Sequence, residues 1–426
     1  MDRELSRRDF AWLLGVGGSA LWLAQEGVAW AKPGPWPATP AIPDEPFWRA
    51  VRDQFVMPPD LAVMNAANLC PSSAPVLDAM YQSTREMDRQ PSPAFREEMT
   101  AAKETTRKAL ADFLRVTPEE IVVTRNTSES SNLVSSGLDL KAGDEVLIFS
   151  DNHPSNDTAW REKAKRFGYA VKAVDVVSPH PGMEYYLDAF TKAMGPRTKV
   201  LAFTHLTSTV GDLFPAAELC RRARERGILT LVDGAQSFGL LDVDLREMDP
   251  DFYSSSAHKW ACGPKEAGVL FVNKRAQDRI WPSIYSAYPG ATGLSKTFES
   301  FGQRDEPAIR AFGEALAMQT KLGRAAIAAR GQELAQALMA GLRKIDGVAV
   351  WTHADPARSS AIVSCRPGSL DPRKLTFALY ERDRIVCATR GGADRGGIRF
   401  SPHLYNSHAE VERALAAVKR YLATGV

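Results

Sequence analysis

The sequence predicts an α/β fold in which a doubly wound, mostly parallel sheet forms a large domain and a smaller α+β domain follows at the C-terminus. Two observations support this prediction. Apolar runs of strand length alternate with helical patterns along most of the chain. The runs are continuously apolar, which is typical of parallel strands that are covered on both faces. In such folds ligands bind beyond the carboxyl ends of the strands.

The elements follow one another in a regular order. The predicted strands of the large domain are EEIVVTRN, DEVLIFS, AVKAVDV, TKVLAFTHL, ILTLVDG and DFYSSSAH. The predicted helices between them are SESSNLVSSGL, DTAWREKAKRFG, YYLDAFTKAM and AAELCRRARERG. A long helical stretch over 305–345, the strands AIVSCR, RIVCAT and GIRFSP, and the amphipathic helix HAEVERALAAVKRYL come last. We predict a large domain over 61–319 and a small domain over 320–426.

The N-terminus has the order of charges and apolar residues that is typical of an export signal. Arg7 and Arg8 precede a modestly apolar stretch, and Ala29-Trp30-Ala31 offers a cleavage site between small residues. We therefore expect a twin-arginine signal over 1–31, a periplasmic mature protein without a membrane anchor, and an extended, Pro-rich arm over 32–60. The alternative is an amphipathic arm in which the arginine pair arises by chance.

Composition gives little sign of a macromolecular partner. The 426 residues are 44% apolar and 24% charged with a net charge of +2, which gives no reason to expect nucleic acid or an anionic membrane. We expect a small-molecule partner. The five cysteines are odd in number and form no CxxC or Cys/His pattern, so no metal site is predicted. Isolated buried thiols are favoured over a disulfide.

Polar residues follow several predicted strands. Thr127 and Ser128 open a helix after EEIVVT, where hydroxyls and free N–H groups suit a phosphate, although a plain N-cap would look the same. His153 follows DEVLIFS and could stack on an aromatic ligand, or be a solvated cap. Asp233 ends a buried strand and needs a cationic or N–H partner. Gln236 follows it and could bind the same ligand.

Lys259 stands where a lysine is costly to bury, in the run SSSAHKWACGP one strand after Asp233. This order of residues is the one that pyridoxal phosphate requires. The lysine binds the cofactor aldehyde covalently, and the aspartate pairs with the pyridinium nitrogen so that the ring accepts electrons. Ser256 and His258 flank Lys259 and can turn toward the phosphate.

These motifs resemble the class V aminotransferases, in the fold-type-I pyridoxal phosphate group, over about Met64 to Tyr421. The likeness is to the isopenicillin N epimerase-like and cysteine desulfurase-like branches, and DGAQ and SSAHKWACGP are its most specific parts. The resemblance of NTSESSNLV implies that Thr127 and Ser128 bind the phosphate, and that of NHPSN implies that His153 stacks on the cofactor ring. The resemblance of FESFGQRDEP implies that Gln303 contacts the phosphate of the partner subunit. In GGIRFSPHLYNSHAEVERAL, Arg399 is implied to bind the substrate α-carboxylate through a bidentate contact.

Two positions depart from the family pattern. Ser208 stands where desulfurases have an asparagine near the phenolic oxygen of the cofactor. The stretch TRGGADRGG lacks the reactive cysteine of desulfurases, and Cys387 lies before it within the apparent strand RIVCAT. Sulfur transfer through a persulfide is therefore disfavoured.

The resemblance implies a homodimeric enzyme in which Lys259 removes the Cα proton of an amino acid or an amino-acid-like side group. An aminotransferase is the first choice and an epimerase or lyase the second. An exported relative that matures a siderophore chromophore has a similar signal and length. His205 could supply a second acid, although a structural role is favoured. A non-enzymatic, exported binding protein is the alternative, and the joint retention of four residues argues against it: Lys259, Asp233, Gln236 and Arg399.

Overall fold

A seven-stranded sheet forms the centre of the molecule, in the order β2-β8-β7-β6-β5-β3-β4. The computed structural model describes residues 34–286, 290, 292–392 and 394–426, so the predicted signal over 1–31 lies outside the described residues. The strands are β2 (Ile121–Thr124), β3 (Glu145–Phe149), β4 (Ala170–Val174), β5 (Thr198–Thr204), β6 (Leu229–Asp233), β7 (Phe252–Ser256) and β8 (Gly268–Val272). Only β8 runs antiparallel to its neighbours, which confirms the mostly parallel sheet.

Helices cover both faces of this sheet, and two buried apolar clusters lie between the layers. The strands β6, β7 and β8 are almost wholly buried, as continuous apolar runs predict, whereas β4 alternates in exposure at the sheet edge. The helices of this part are α2 (Ala74–Arg89), α3 (Pro93–Leu114), α4 (Thr127–Gly137), α5 (Pro154–Phe167), α6 (Met183–Ala193), α7 (Ala216–Arg224), α8 (Leu245–Met248), α9 (Ser295–Phe298) and α10 (Glu306–Leu322), with 3-10 turns at Pro118–Glu120 and Lys274–Arg279.

A second, four-stranded antiparallel sheet in the order β12-β13-β10-β9 lies in the C-terminal part of the chain. It packs with three helices around its own apolar cluster. Its strands and helices are α11 (Arg324–Leu342), β9 (Val348–Val350), β10 (Val363–Pro367), α12 (Pro372–Asp383), β12 (Ala388–Arg390), β13 (Gly397–Phe400) and α13 (His408–Thr424). A short parallel pair joins β1 (Ala62–Val63) to β11 (Ile385–Val386).

Three elements differ from the sequence expectation. The helical stretch over 305–345 breaks into α10 and α11 at Gly323, whose φ of 85° does not continue a helix. The apparent strand RIVCAT splits at Cys387, because β11 pairs with β1 and β12 pairs with β13. The arm over 32–60 is not extended throughout. It contains α1 (Glu45–Arg52), in which the Asp44 carboxylate caps the helix by accepting from the Phe47 N–H at 3.0 Å.

Residues 35–426 form one compact unit, and the boundary between 319 and 320 stays a prediction, since α10 runs through it. Within the part of the chain that the structure describes, no helix combines the length and the apolar character that a membrane span requires.

Candidate active site

A cleft of about 280 Å³ opens at the carboxyl ends of the central strands, where the fold class places ligands. It brings together side chains that are far apart in the sequence. Nine of the ten site residues predicted from the sequence lie on its wall: Thr127, Ser128, His153, Asp233, Gln236, Ser256, His258, Lys259 and Arg399.

The N-terminus of α4 forms one end of the cleft. Asn126 is the N-cap, and its side chain accepts from the Glu129 N–H, so Thr127 and Ser128 lie in the first turn, where both line the cleft. The Ser256 hydroxyl, at the end of β7, accepts from the Thr127 N–H at 2.8 Å and lies 2.7 Å from the Thr127 hydroxyl. The helix N-terminus and these hydroxyls make an anion site.

The Lys259 side chain projects into the cleft from the turn that follows β7. Burial lowers the pKa of Lys259, the Asp233 charge raises it and the Arg390 charge lowers it. Asp233 is 3% exposed, and its carboxylate accepts from the Ala235 N–H at 3.0 Å. Among the described contacts, no ion pair joins Asp233 to Lys259. The two side chains therefore influence each other through space across the cleft without being in direct contact.

Gln236 lies beside Asp233 and is held by the protein. Its amide nitrogen donates to the Ala67 carbonyl at 2.9 Å, and its amide oxygen accepts from the Trp260 indole N–H at 2.8 Å. The buried Trp260 follows Lys259 directly in the chain. Gln236 therefore fixes the position of the lysine-bearing turn, while its contact with a ligand stays a prediction.

Two histidines of the cleft are neutral at neutral pH. Burial, followed by the Lys259 charge, lowers the pKa of His258 to about 4. His153 caps α5 through its Nδ1 atom, which lies 2.8 Å from the Ser155 hydroxyl. Shielding from water lowers the pKa of His153, the Lys259 charge lowers it further and the Asp233 charge raises it. Its ring is thus close enough to both groups to share a ligand with them.

Arg399 reaches the cleft from β13 and is fully buried. Its Nη1 atom donates to the Ser208 carbonyl at 2.6 Å, and its Nη2 atom donates to the Asn65 side-chain oxygen at 3.2 Å. Both acceptors are neutral, so the charge of the guanidinium has no protein counter-ion in these contacts. Ser208 also lines the cleft.

Two other residues singled out from the sequence lie elsewhere. Gln303 is exposed, outside the cleft, with its amide beside the Arg96 guanidinium. This placement is compatible with a contact to another subunit but does not test it. His205 lines a separate cavity with Leu213 and Pro215, and burial lowers its pKa to about 4. His205 therefore lies outside the cleft, and its structural role stays a prediction.

Sequence reasoning missed Asn68 and Arg390, which both line the cleft. Asn68 follows no strand-end motif that would have drawn attention to it. Arg390 stands in TRGGADRGG, a stretch that the sequence analysis read only for its lack of cysteine. A guanidinium at the end of β12, one strand from Arg399, was the available signal.

The cysteines lie away from the cleft in the part of the chain that the structure describes. Burial raises the pKa of Cys387 to about 12, so that its thiol is protonated. Ligand atoms of Cys70, Cys262 and His403 lie within 4.8 Å of one another, so the predicted absence of a metal site stays a prediction.

The cleft fits pyridoxal phosphate. Its phosphate end has hydroxyls at a helix N-terminus, and His258 Nδ1 is buried there without a hydrogen-bond partner among the described residues. Its opposite wall has the buried carboxylate of Asp233, which forms no ion pair with a lysine or arginine among the described residues, and such a carboxylate suits a pyridinium nitrogen. A lysine of lowered pKa lies between these ends.

Comparison with known sequences agrees with this chemistry. The model of the family described as aminotransferase class-V matches residues 66–414. The isopenicillin N epimerase of Amycolatopsis lactamdurans is 32% identical over 390 residues, which cover 87% of this chain and 98% of that protein. The cysteine desulfurase of Haloferax volcanii is 28% identical over 344 residues, covering 76% and 79% of the two chains.

Solved structures show the same fold. The apo cysteine desulfurase from Thermococcus onnurineus superposes with a TM-score of 0.81 at 23% identity, covering 91% of this chain and all of that one. The cystine C-S lyase C-DES, in complex with cysteine persulfide, gives a TM-score of 0.77 at 24% identity, covering 85% and 98% of the two chains.

Proposed function

Because this chain belongs to the class V aminotransferase family and is a pyridoxal-phosphate-dependent enzyme, we propose that it is an aminotransferase that acts on the amino group of an amino acid or an amino-acid-like side group. The observation that carries the proposal is Lys259, whose amine faces the cleft with a lowered pKa, across from the buried carboxylate of Asp233.

Each part of the cleft has a separate task in this proposal. Thr127, Ser128, Ser256 and His258 would hold the phosphate, and Asp233 would hold the ring nitrogen. Pyridoxal phosphate, when bound, supplies an electron sink that stabilises negative charge at the substrate Cα.

The protein itself orients the substrate and moves its proton. Arg399 would bind the α-carboxylate, since its guanidinium is buried and has only neutral acceptors in the protein. That contact would place the substrate Cα within the cleft that Lys259 also lines. A lowered pKa keeps more of the amine neutral at neutral pH, which a base requires. His153 lines the same cleft, where the family resemblance implies that its ring would stack on the cofactor.

An epimerase is the second candidate, favoured by the 32% identity to an isopenicillin N epimerase over nearly its whole length. Epimerisation needs an acid on the opposite face of Cα. His205 does not line the cleft and so is not placed to be this acid, because its side chain lines another cavity.

A lyase is the third candidate. Desulfurase chemistry is disfavoured by the lack of a cysteine in TRGGADRGG and by the raised pKa of Cys387.

Export and dimer formation complete the proposal. The Arg7-Arg8 signal pattern supports a periplasmic mature enzyme, and the resemblance of FESFGQRDEP to the family's cross-subunit loop supports a homodimer whose subunits complete each other's phosphate sites. Action on the glutamyl side chain of a siderophore is one role that an exported member of this type would have.

Proton exchange at Cα separates the three activities. The cofactor-loaded protein is incubated with a panel of amino acids in deuterated water, and the products are read by NMR and mass spectrometry. We expect Cα exchange together with a keto acid. Exchange with inversion and without keto acid would mean an epimerase, elimination products would mean a lyase, and a lack of exchange with every substrate would reject the proposal.

A further inference from the structure

We propose that Arg390 binds a second carboxylate of the substrate, so that the site takes an acidic amino acid or a side group that carries two carboxylates. This inference rests on the proposed function, because it assigns the α-carboxylate to Arg399. It starts from one observation: the cleft holds two guanidiniums, and a substrate with a single carboxylate would use only one of them.

The small sheet directs both arginines to the same side. In the antiparallel pair of β12 and β13, Arg390 lies opposite Gly397, and Arg399 lies opposite Ala388. Residues opposite each other, and residues two apart on one strand, share a face of a sheet. Arg390 and Arg399 are therefore diagonal neighbours on one face, at a separation of roughly 7–8 Å between backbone positions. A short dicarboxylate reaches between groups so placed.

Arg390 has no counter-ion of its own. Among the described residues no carboxylate forms an ion pair with it, and its Nε atom is buried without a hydrogen-bond partner. Burial lowers the pKa of Arg390, and the Asp151 charge raises it only from a distance. A partly buried guanidinium in this condition gains from a carboxylate that enters the cleft.

The nearby acidic residue Asp151 is already paired. The Asp151 carboxylate accepts from the Arg395 guanidinium at 3.1 Å and from the Thr209 hydroxyl. Asp212 is buried, which raises its pKa to about 7, while the Arg395 charge acts on it in the opposite direction. Arg395 thus pairs with Asp151 beside the cleft. Among the described residues, Arg390 is left as the unpaired cation that lines the cleft.

The position of Arg390 argues against service to the cofactor phosphate. Its charge lowers the pKa of Lys259 and of His153, the residues at the reacting end. The causes that shift the pKa of His258, at the phosphate end, do not include Arg390. The phosphate end also has its own donors at the N-terminus of α4. The second anion therefore belongs to the substrate.

Two carboxylic acids of equal chain length test this assignment without turnover. Glutarate and pentanoate are titrated into the cofactor-loaded protein, and their dissociation constants are measured by calorimetry. We expect the wild type to bind glutarate at least ten-fold more tightly. Arg390→Met should remove this preference and leave pentanoate binding unchanged. Arg382→Met, which removes an exposed arginine on α12, is the matched control and should keep the preference.

Arg390→Lys keeps a positive charge and should retain part of the preference for glutarate. This variant also tests the assignment if Arg390→Met no longer binds the cofactor. Equal affinity of the wild type for both acids would overturn the assignment, as would an unchanged preference in Arg390→Met. So would a variant that binds pyridoxal phosphate more weakly but still prefers glutarate, because Arg390 would then serve the phosphate. Exchange at Cα in deuterated water tests the proposed activity separately, so its failure leaves these binding results interpretable.

Discussion

Two opposite charges act on the Lys259 amine. The Asp233 carboxylate raises the pKa of the amine, whereas burial and the Arg390 guanidinium lower it. The outcome is a lysine whose pKa is below the usual range for lysine, which increases the neutral fraction that can attack an aldehyde or remove a proton. The same residue can therefore first hold the cofactor and later act as a base.

Substituting the two charges should move the Lys259 pKa in opposite directions. Attachment of pyridoxal phosphate to the apoprotein needs the neutral amine, so its rate rises with pH through the Lys259 pKa. Asp233→Asn removes a raising charge and should shift the midpoint to lower pH. Arg390→Met removes a lowering charge and should shift it to higher pH. Stopped-flow absorbance measures both, with Arg382→Met as the control, and shifts in the same direction would contradict the account.

At the scale of elements, β7, β8 and the start of α4 form the phosphate end together. Gly268 opens β8 and lies opposite both Ser256 and Thr124. A Cβ at this position would lie 2.7 Å from the Ser255 carbonyl oxygen and 2.8 Å from the Asn126 Cα atom. The close approach of these backbones requires glycine, and it sets the spacing between the Ser256 hydroxyl and the first turn of α4.

Gly268→Ala should therefore separate these elements. We expect a loss of about 1–3 kcal/mol in the free energy of unfolding, from overpacking. We also expect weaker binding of pyridoxal phosphate, because Thr127 and Ser256 no longer meet. Denaturant unfolding and fluorescence titration measure the two effects. Gly195→Ala is the matched control, since a Cβ there meets no atom within 4 Å. A Gly268→Ala variant as stable as this control would show that the phosphate end tolerates the extra methyl group.

A buried ion pair fixes the base of the loop that carries Gln303. Arg107 on α3 is fully buried and donates to both carboxylate oxygens of Glu299, at 2.5 and 2.8 Å. The same carboxylate accepts from the Val123 N–H of β2 at 2.7 Å. One charged pair thus connects a helix, the edge strand β2 and the loop.

Removing one member of this pair should be costly. Arg107→Met leaves the Glu299 carboxylate buried without its cation, and we expect a loss of about 3–5 kcal/mol in the free energy of unfolding. Lys108→Met breaks the exposed pair with Asp112 and should change it by under about 1 kcal/mol. Guanidinium unfolding measures both variants. Equal losses would indicate that the buried pair is not important for stability.

At the scale of the whole molecule, the sequence was enough to predict the α/β architecture and to find most of the cleft. Continuous apolar runs identified β2, β3, β5 and β6, and the polar residues that follow β2, β3 and β6 meet at one edge of the sheet. Arg390 was missed because its importance lies in the absence of a counter-ion, which is a tertiary property. The split of RIVCAT was missed because pairing with β1 depends on chain that is remote in sequence.

Assembly is predicted at this scale. If Gln303 contacts the phosphate of a second subunit, light scattering should give twice the mass of the mature chain. Gln303→Glu should then weaken cofactor binding by repulsion from the phosphate, whereas Gln303→Asn, which keeps the amide, should weaken it less. A monomer that binds pyridoxal phosphate tightly would contradict the dimer.

Covalent attachment at one residue is the central claim, and reduction with borohydride tests it most directly. The cofactor-loaded protein is reduced, digested and analysed by mass spectrometry. We predict a pyridoxyl phosphate adduct on the peptide that contains Lys259, and its loss in Lys259→Ala. The exposed Lys265 is the matched control, and Lys265→Ala should keep the adduct. An adduct on another lysine, or one that persists in Lys259→Ala, would contradict the account.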